Sequence, residues 1–415
     1  MFLLLACAPE TMTSTNRGGA GEYLPRDEGD DSGSTTDTSG ADDSGDGGES
    51  WTFLVFMNGD NDLERWALAD VNEMEVVGST SAVNIVVQLD RSEDYDTGDG
   101  DWTGARRYRV EADENPRAIS SPVLADLGEV DSGDPQTVIE FAEWGIDTFP
   151  ADRVALVLWD HGTGWSLLPG IEKKAISEDY GARSSMSVAG GDVTAVYAAA
   201  AEALGRPVDL VGFDACTMMM WEVAWSVADH AEVMVASQDY EDLQGWDYTG
   251  SMADLVADPT MSAAELGDSI AFRFHEIPDS TQSVVDLRQL PAFTRAIDEL
   301  AQDIIAGGNA AELLALSAAD AQGFDGPQSL DHDVSDLLSR MATANDDDAV
   351  DEAIASALSA ADALVISNYN QGGRVKNANG LSIYSPASAQ MPPIYARAPW
   401  AGATAWDEMI VAAGE

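Results

Sequence analysis

Short, almost wholly apolar segments recur along the chain, and each ends in polar residues or glycine. They cover residues 52–58, 84–89, 153–159, 208–213 and 231–236. A short apolar run bounded by turn residues is typical of a strand that is buried on both faces. We therefore predict five buried strands, with a further and more exposed strand at 106–110.

Between these strands, apolar residues recur at helical spacing. Residues 63–77 show this spacing, and segments 192–204 and 217–229 are also predicted to be helical. Asp134 and Pro135 have the residue types preferred at a helix N-cap and first turn, so a helix is predicted from there to residue 144. Alternating strands and helices predict an α/β fold, a three-layer sandwich whose central sheet is mainly parallel.

After residue 255 the pattern changes. Alanine-rich segments near 290–305 and 349–365 predict helices, and only the run at 380–384 resembles a strand. We therefore predict an α/β domain over residues 51–255 and a mostly helical region over 256–415 that packs on it.

The N-terminal segment has a different character. Residues 1–7 end in Leu4-Leu5-Ala6-Cys7 and resemble a truncated lipobox, in which the cysteine of a bacterial lipoprotein is lipidated. Residues 8–50 are acidic and rich in Gly, Ser and Asp, a composition that cannot bury enough apolar area to offset ordering entropy. We predict lipidation of Cys7, a disordered linker over 8–50, and a location at the bacterial cell envelope (outer membrane or cell surface) or outside the cell.

The chain is strongly acidic. It has 74 Asp and Glu residues against 20 Lys and Arg, a formal net charge of -54. Such a surface repels phosphate backbones, which argues against nucleic-acid binding, and attracts cationic peptides and divalent cations. We interpret most of the charge as an adaptation for solubility.

Two predicted strands end in reactive side chains. The strand at 153–159 continues into Asp160-His161-Gly162, and the strand at 208–213 continues into Asp214-Ala215-Cys216. If the strands are neighbours, His161 and Cys216 face one crevice beyond their carboxyl ends. An imidazole can activate a thiol as nucleophile and later protonate a leaving amine. The amides of Gly162 and Cys216 are a candidate oxyanion hole, and the helix predicted after Cys216 would favour its thiolate.

These two strand ends, with the motifs D-H-G-x-G-W and G-F-D-A-C, resemble the clostripain family of the caspase-like fold. Segments 58–63, 218–224, 236–238, 245–248 and 380–384 extend the resemblance to about residues 51–386. The resemblance implies a cysteine endopeptidase that cleaves after Arg or Lys, with Cys216 as nucleophile and His161 as general acid and base. Thr163 departs from the family pattern, in which glycine is common.

The resemblance also implies an acidic pocket for the basic substrate side chain, because a buried cation needs a carboxylate partner. Asp214 matches the family's motif at this position. A second acid is expected from the loop 239–247, where Asp239, Glu241 and Asp242 remain alternatives, and Trp246 is expected beside the substrate. Asp160 either orients the His161 ring or caps a turn.

Other expectations also follow from the resemblance. Calcium is expected as an activator, with no organic cofactor, and residues 58–62 form either a calcium loop or a capped turn. Self-cleavage is expected after Lys173 or Lys174. The partners are peptide or protein substrates of a monomeric enzyme that contacts a membrane only through its lipid anchor. The first competing hypothesis is a catalytically silent relative that serves as a surface binding module. The others are a caspase-like peptidase with another preference before the scissile bond and an unrelated α/β hydrolase, which the absence of a G-x-S-x-G motif weakens.

Overall fold

The computed structural model describes residues 49–165, 176–274, 277–324, 329–386 and 391–414. Its strands are β1 (Trp51–Gly59), β2 (Val83–Arg91), β3 (Gly104–Arg109), β4 (Val123–Gly128), β5 (Arg153–Trp159), β6 (Ile176–Asp179), β7 (Ser184–Met186), β8 (Val208–Asp214), β9 (Ala231–Ala236), β10 (Thr281–Asp286), β11 (Asp331–Asp333), β12 (Val365–Asn370) and β13 (Ser382–Tyr384).

Helices separate most of these strands and are concentrated after residue 247. They are α1 (Glu64–Glu75), α2 (Pro135–Thr148), α3 (Asp192–Leu204), α4 (Trp221–Val227), α5 (Tyr248–Ala257), α6 (Ala263–Phe274), α7 (Leu290–Gly307), α8 (Ala310–Asp320), α9 (Val334–Ala344), α10 (Asp348–Leu364) and α11 (Trp406–Ala412). None of the helices in the described ranges is long and apolar enough to cross a membrane.

Nine strands form one central sheet in the order β12-β10-β9-β8-β5-β1-β2-β3-β4. The five strands from β9 to β2 are parallel to one another, whereas β10 and β12 at one edge and β3 and β4 at the other run antiparallel to their neighbours. The predicted α/β class with a mainly parallel sheet is confirmed.

Both faces of the sheet are buried, which explains the continuous apolar runs of its central strands. In β1, Phe53, Val55 and Met57 pack on one face and Leu54 and Phe56 on the other. Helices α1, α5 and α6 cover the first face, and α2, α3, α4 and the C-terminal helices cover the second. The result is the predicted three-layer sandwich.

The predicted N-cap of α2 is confirmed, because the Asp134 carboxylate accepts the amide N–H of Gln136. The expectation of an exposed β3 is wrong: most of its residues are buried. Its outer edge pairs with β4, and the Arg107 guanidinium lies 4.6 Å from the centre of the Trp144 ring. The C-terminal region also contributes β10 and β12 to the central sheet, so residues 256–415 are part of the same folding unit as residues 51–255.

Candidate active site

The carboxyl ends of β5 and β8 meet at one edge of the sheet. Trp159 of β5 pairs with Asp214 of β8 in parallel register, and the chain continues two residues beyond each of them to His161 and Cys216. The two segments then touch: a Cβ added at Gly162 would lie 2.3 Å from the carbonyl oxygen of Cys216 and 3.0 Å from its amide nitrogen. The structure therefore brings the backbone segment that carries His161 and Gly162 into contact with the segment that carries Cys216.

This close approach makes position 162 intolerant of any side chain. We expect Gly162→Ala to reduce kcat/KM for a peptide substrate by on the order of 100-fold, because the methyl group would push the Cys216 amide and the amide of residue 162 out of position. Gly402→Ala is the matched control, since a Cβ there meets no atom within 4 Å. Steady-state assays test this, and unchanged kinetics of the position-162 variant would contradict the proximity of the two segments.

Cys216 lies on an irregular turn. The next residue, Thr217, has a left-handed backbone with φ 58°, and its amide donates to the carbonyl oxygen of Asp239 at 2.9 Å. The helix predicted from residue 217 begins only at Trp221, so its dipole does not act on Cys216 and that expectation is wrong. The amide N–H of Glu241 donates to Sγ of Cys216 at 3.4 Å, which joins the loop after β9 to this turn.

The imidazole of His161 is largely buried, with 8% of its residue surface exposed. Its Nε2 lies 2.8 Å from Oδ1 of Asp62, a residue in the loop after β1. Burial lowers the pKa of His161, but the hydrogen bond to Asp62 and the charge of Asp160 outweigh burial, and the pKa is raised overall. The ring is therefore more basic than a free imidazole.

Asp160 organises the surrounding turns and makes no hydrogen bond to the ring. Its carboxylate accepts the side-chain amide of Asn58 at 3.2 Å, that of Asn61 at 2.7 Å, and the backbone N–H of Glu178. Of the two roles considered for Asp160, the structure supports turn capping. The carboxylate that contacts His161 belongs to Asp62, which the sequence placed only in a candidate calcium loop.

A pocket opens beside Cys216. The lining carries carboxyl groups and no Lys or Arg, and it consists of Leu63, Trp159, Asp160, Asp214, Ala215, Cys216, Glu241, Asp242, Leu243 and Gly245. The carboxyl groups of Asp214 and Glu241 lie close enough together for each to shift the pKa of the other. Asp214 therefore lies on the same pocket wall as Cys216, and Glu241 is the residue of the loop 239–247 that contacts it.

Burial makes these carboxyl groups weaker acids. It raises the pKa of Asp214 to about 6, although the Tyr248 hydroxyl donates to the carboxylate at 2.8 Å. Burial, and then the charge of Asp214, raise the pKa of Glu241. The same two causes raise the pKa of Asp70, which accepts the indole N–H of Trp159 at 2.7 Å. A proton or another cation is therefore needed to offset the repulsion between the buried carboxyl groups of Asp70, Asp214 and Glu241.

Of the other three residues predicted for the pocket, only Asp242 lines it. Asp239 is fully buried and pairs with Nη2 of Arg374 at 2.5 Å, so its charge already has a partner. Asp242 lines the pocket and accepts the backbone N–H of Gln244 at 3.1 Å. Trp246 is 1% exposed and packs beneath Gly212, so it supports the pocket from behind and does not contact its interior.

Three residues predicted to be processed lie outside the residues that the structure describes. They are Lys173 and Lys174, predicted for self-cleavage, and Cys7, predicted for lipidation.

Residues 58–62 form a capped turn. The Asn58 side-chain oxygen accepts the amide N–H of Asp60 at 3.1 Å, and that of Asn61 accepts the amide N–H of Leu63 at 2.8 Å. Asp62 contacts His161. The two asparagine side-chain oxygens cap the turn by accepting backbone N–H groups two residues further along the chain. Across the described ranges, no group of three or more His, Cys, Asp or Glu residues is arranged to hold a metal ion.

Comparison with known proteins places this chain in a family. The family model described as the clostripain family matches residues 55–411. Clostripain from Hathewaya histolytica is 24% identical in an alignment 302 residues long that covers 61% of this chain and 56% of clostripain. The alignment thus spans little more than half of that relative's length.

Solved structures show the same fold. A secreted C11 cysteine protease from Bacteroides thetaiotaomicron, in complex with an irreversible peptide inhibitor, has a TM-score of 0.65 at 20% identity and covers 86% of this chain and 99% of its own. An inactive zymogen C11 protease from Parabacteroides distasonis has a TM-score of 0.61 at 20% identity and covers 86% of this chain and 98% of its own. Because the family model spans most of the chain, from the first central strand to the last helix, this protein belongs to the clostripain family.

Proposed function

We propose that this protein is a cysteine endopeptidase that cleaves peptide bonds after Arg or Lys. The observation that carries the proposal is a buried acidic pocket, lined by Asp214 and Glu241, whose wall includes Cys216. A pocket of this kind beside a nucleophile selects a cationic side chain and places the following peptide bond at the sulfur.

In the proposed reaction, one proton passes from Cys216 to His161 and then to the leaving amine. His161 takes the thiol proton of Cys216, and the thiolate attacks the carbonyl carbon of the scissile bond. The amide N–H groups of Gly162 and Cys216 stabilise the resulting oxyanion. The imidazolium then protonates the leaving amine, and water hydrolyses the thioester with His161 as general base.

Specificity follows from the carboxyl groups at the pocket. With no ligand, burial favours retention of a proton by the Asp214–Glu241 pair. A bound guanidinium or ammonium would take the place of that proton and allow both groups to ionise. Neutral or acidic side chains would leave at least one buried carboxylate without compensation, and such substrates should bind poorly.

The pH dependence of KM tests the proposed specificity. The pKa of Asp214 is raised to about 6, so ionised Asp214 becomes more abundant as the pH rises from 5 to 7. We therefore expect KM for a peptide with Arg before the scissile bond to fall over this range, while KM for the matching norleucine peptide changes little. Initial-rate assays in reductant give both values. Parallel profiles for the two peptides would contradict a pocket that binds through ionised carboxyl groups.

The alternative function, a catalytically silent binding module, predicts a different result. A silent protein would bind basic peptides through the same pocket without cleaving them. Mass spectrometry of an Arg peptide after incubation with the protein separates the two, because products appear only with an active enzyme.

Calcium activation belongs to the same proposal, and residues 58–62 stay the candidate calcium loop. The acidic surface attracts divalent cations in general. Assays with added calcium and then with chelator, together with the midpoint of thermal unfolding, separate activation from simple stabilisation.

Processing and location complete the proposal. Self-cleavage after Lys173 or Lys174 would fall between β5 and β6, and the intact mass of fully active protein tests it. Lipidation of Cys7, a linker over residues 8–50 and a monomeric enzyme at the cell envelope also stay predictions. At the end of that predicted linker, the Ser50 hydroxyl donates to Asp152 at 2.8 Å.

A further inference from the structure

The two ring nitrogens of His161 have different surroundings. Nε2 lies 2.8 Å from Oδ1 of Asp62, whereas Nδ1 is buried and has no hydrogen-bond partner among the residues that the structure describes. In a neutral imidazole one nitrogen carries the hydrogen and the other the lone pair. The partner of Nε2 therefore decides which nitrogen of His161 is able to accept a proton.

Asp62 is suited to fix this choice. The hydrogen bond with His161 is the largest influence on the Asp62 carboxyl and holds its pKa below the usual value, so the group is ionised at neutral pH. An ionised carboxylate only accepts hydrogen bonds. The Tyr180 hydroxyl donates to the same oxygen at 3.1 Å and helps to hold the carboxylate in place. Nε2 consequently carries the hydrogen, and the lone pair lies on Nδ1.

We propose that Asp62 is the positioning residue of the active site: its contact with Nε2 holds His161 in the tautomer whose Nδ1 exchanges the catalytic proton. This inference rests on the proposed peptidase function. The proton leaves the sulfur of Cys216 for Nδ1, which gives a thiolate and an imidazolium. The same proton then passes from Nδ1 to the leaving nitrogen as the carbon–nitrogen bond breaks.

Other charged groups near the ring do not replace Asp62. Asp160 and Glu178 also raise the pKa of His161 through their charge. The Asp160 oxygens, however, are occupied by two asparagine side chains and the Glu178 amide. Without Asp62 the ring would keep part of its basicity but would be free to adopt either tautomer. The loss is therefore expected in turnover and pH profile, not in substrate binding.

Kinetics of Asp62→Ala and Asp62→Glu in the full-length, reduced protein test this role. We expect the alanine variant to lower kcat for an Arg peptide by on the order of 10- to 100-fold, with little change in KM, and to move the alkaline limb of the kcat profile to lower pH. The glutamate variant should restore part of kcat and move the alkaline limb part of the way back towards that of wild type. Asp94→Ala is the matched control, because it removes an exposed carboxylate from a nearby loop.

A second measurement separates this inference from the proposed function. The rate at which iodoacetamide labels Cys216, followed by mass spectrometry of its peptide, needs no substrate. With Asp62 replaced, the imidazolium is less stable, so labelling near pH 6 should slow several-fold relative to wild type. Labelling and kinetics equal to those of the Asp94 variant would overturn the positioning role. A wild type that is labelled normally but cleaves no peptide would instead refute the peptidase proposal.

Discussion

Cys216→Ala is expected to abolish cleavage of Arg and Lys peptides, a loss on the order of 10,000-fold or more in kcat, because no other group at the proposed site supplies a nucleophile. His161→Ala should cause a loss of similar size, since the two residues act as one unit and their effects are not additive. Steady-state assays in reductant with an Arg peptide measure both losses.

Matched controls distinguish chemistry from folding. Cys7→Ala removes the other cysteine of the chain, and His230→Ala removes a histidine that precedes β9, at the edge of the sheet opposite to the carboxyl ends of β5 and β8, so both should retain wild-type kcat. Unfolding midpoints close to that of wild type would show that the inactive variants are folded. Cleavage by the Cys216 variant at more than about a hundredth of the wild-type rate would remove Cys216 from the mechanism.

Asp214→Asn is expected to lower kcat/KM for Arg and Lys peptides by roughly 30-fold or more, because a desolvated cation loses a charged partner worth about 2 kcal/mol or more. Glu241→Gln should act in the same direction. Asp134→Asn is the matched control, since asparagine caps α2 as well as aspartate does. A substrate series with Arg, Lys, norleucine and Glu before the scissile bond separates loss of specificity from general loss of activity.

The same Asp214 variant is expected to keep or increase thermal stability at pH 7. A carboxyl whose folded pKa is raised binds its proton more tightly in the folded state, so its contribution to folding weakens as pH rises from the unfolded pKa towards 6. Asparagine avoids that loss and still accepts the Tyr248 hydroxyl. A large fall in the unfolding midpoint would show that Asp214 has a structural role and would contradict a pocket retained for function.

The sequence predicted the central strands well because they are buried on both faces. β5, α3 and β9 have the predicted bounds, since an apolar run or an alanine-rich helix needs no long-range information. β10 and β12 were missed because their sequences, TQSVVD and VISNYN, mix polar with apolar residues. These strands take their structure from pairing with strands that are distant in sequence.

The candidate catalytic residues could be predicted from the sequence, whereas the residues that contact them could not. His161 and Cys216 follow apolar strands, so their motifs identify them. The Asp62–His161 contact joins residues 99 positions apart, and only the placement of β1 beside β5 brings them together. The start of α4 was missed because Thr217 adopts a left-handed backbone, which no residue preference indicates. The choice of Glu241 over Asp239 depends on Arg374, which pairs with Asp239 from a distant loop.

Labelling with a thiol-reactive peptide that carries Arg at the reactive end tests the central claim most directly. The account predicts one covalent adduct per chain, on Cys216, with labelling prevented by excess Arg peptide, slowed strongly in His161→Ala, and slow for the matching norleucine reagent. Equal labelling by the Arg and norleucine reagents, or labelling that is indifferent to His161, would contradict a thiol activated by that imidazole beside an acidic pocket.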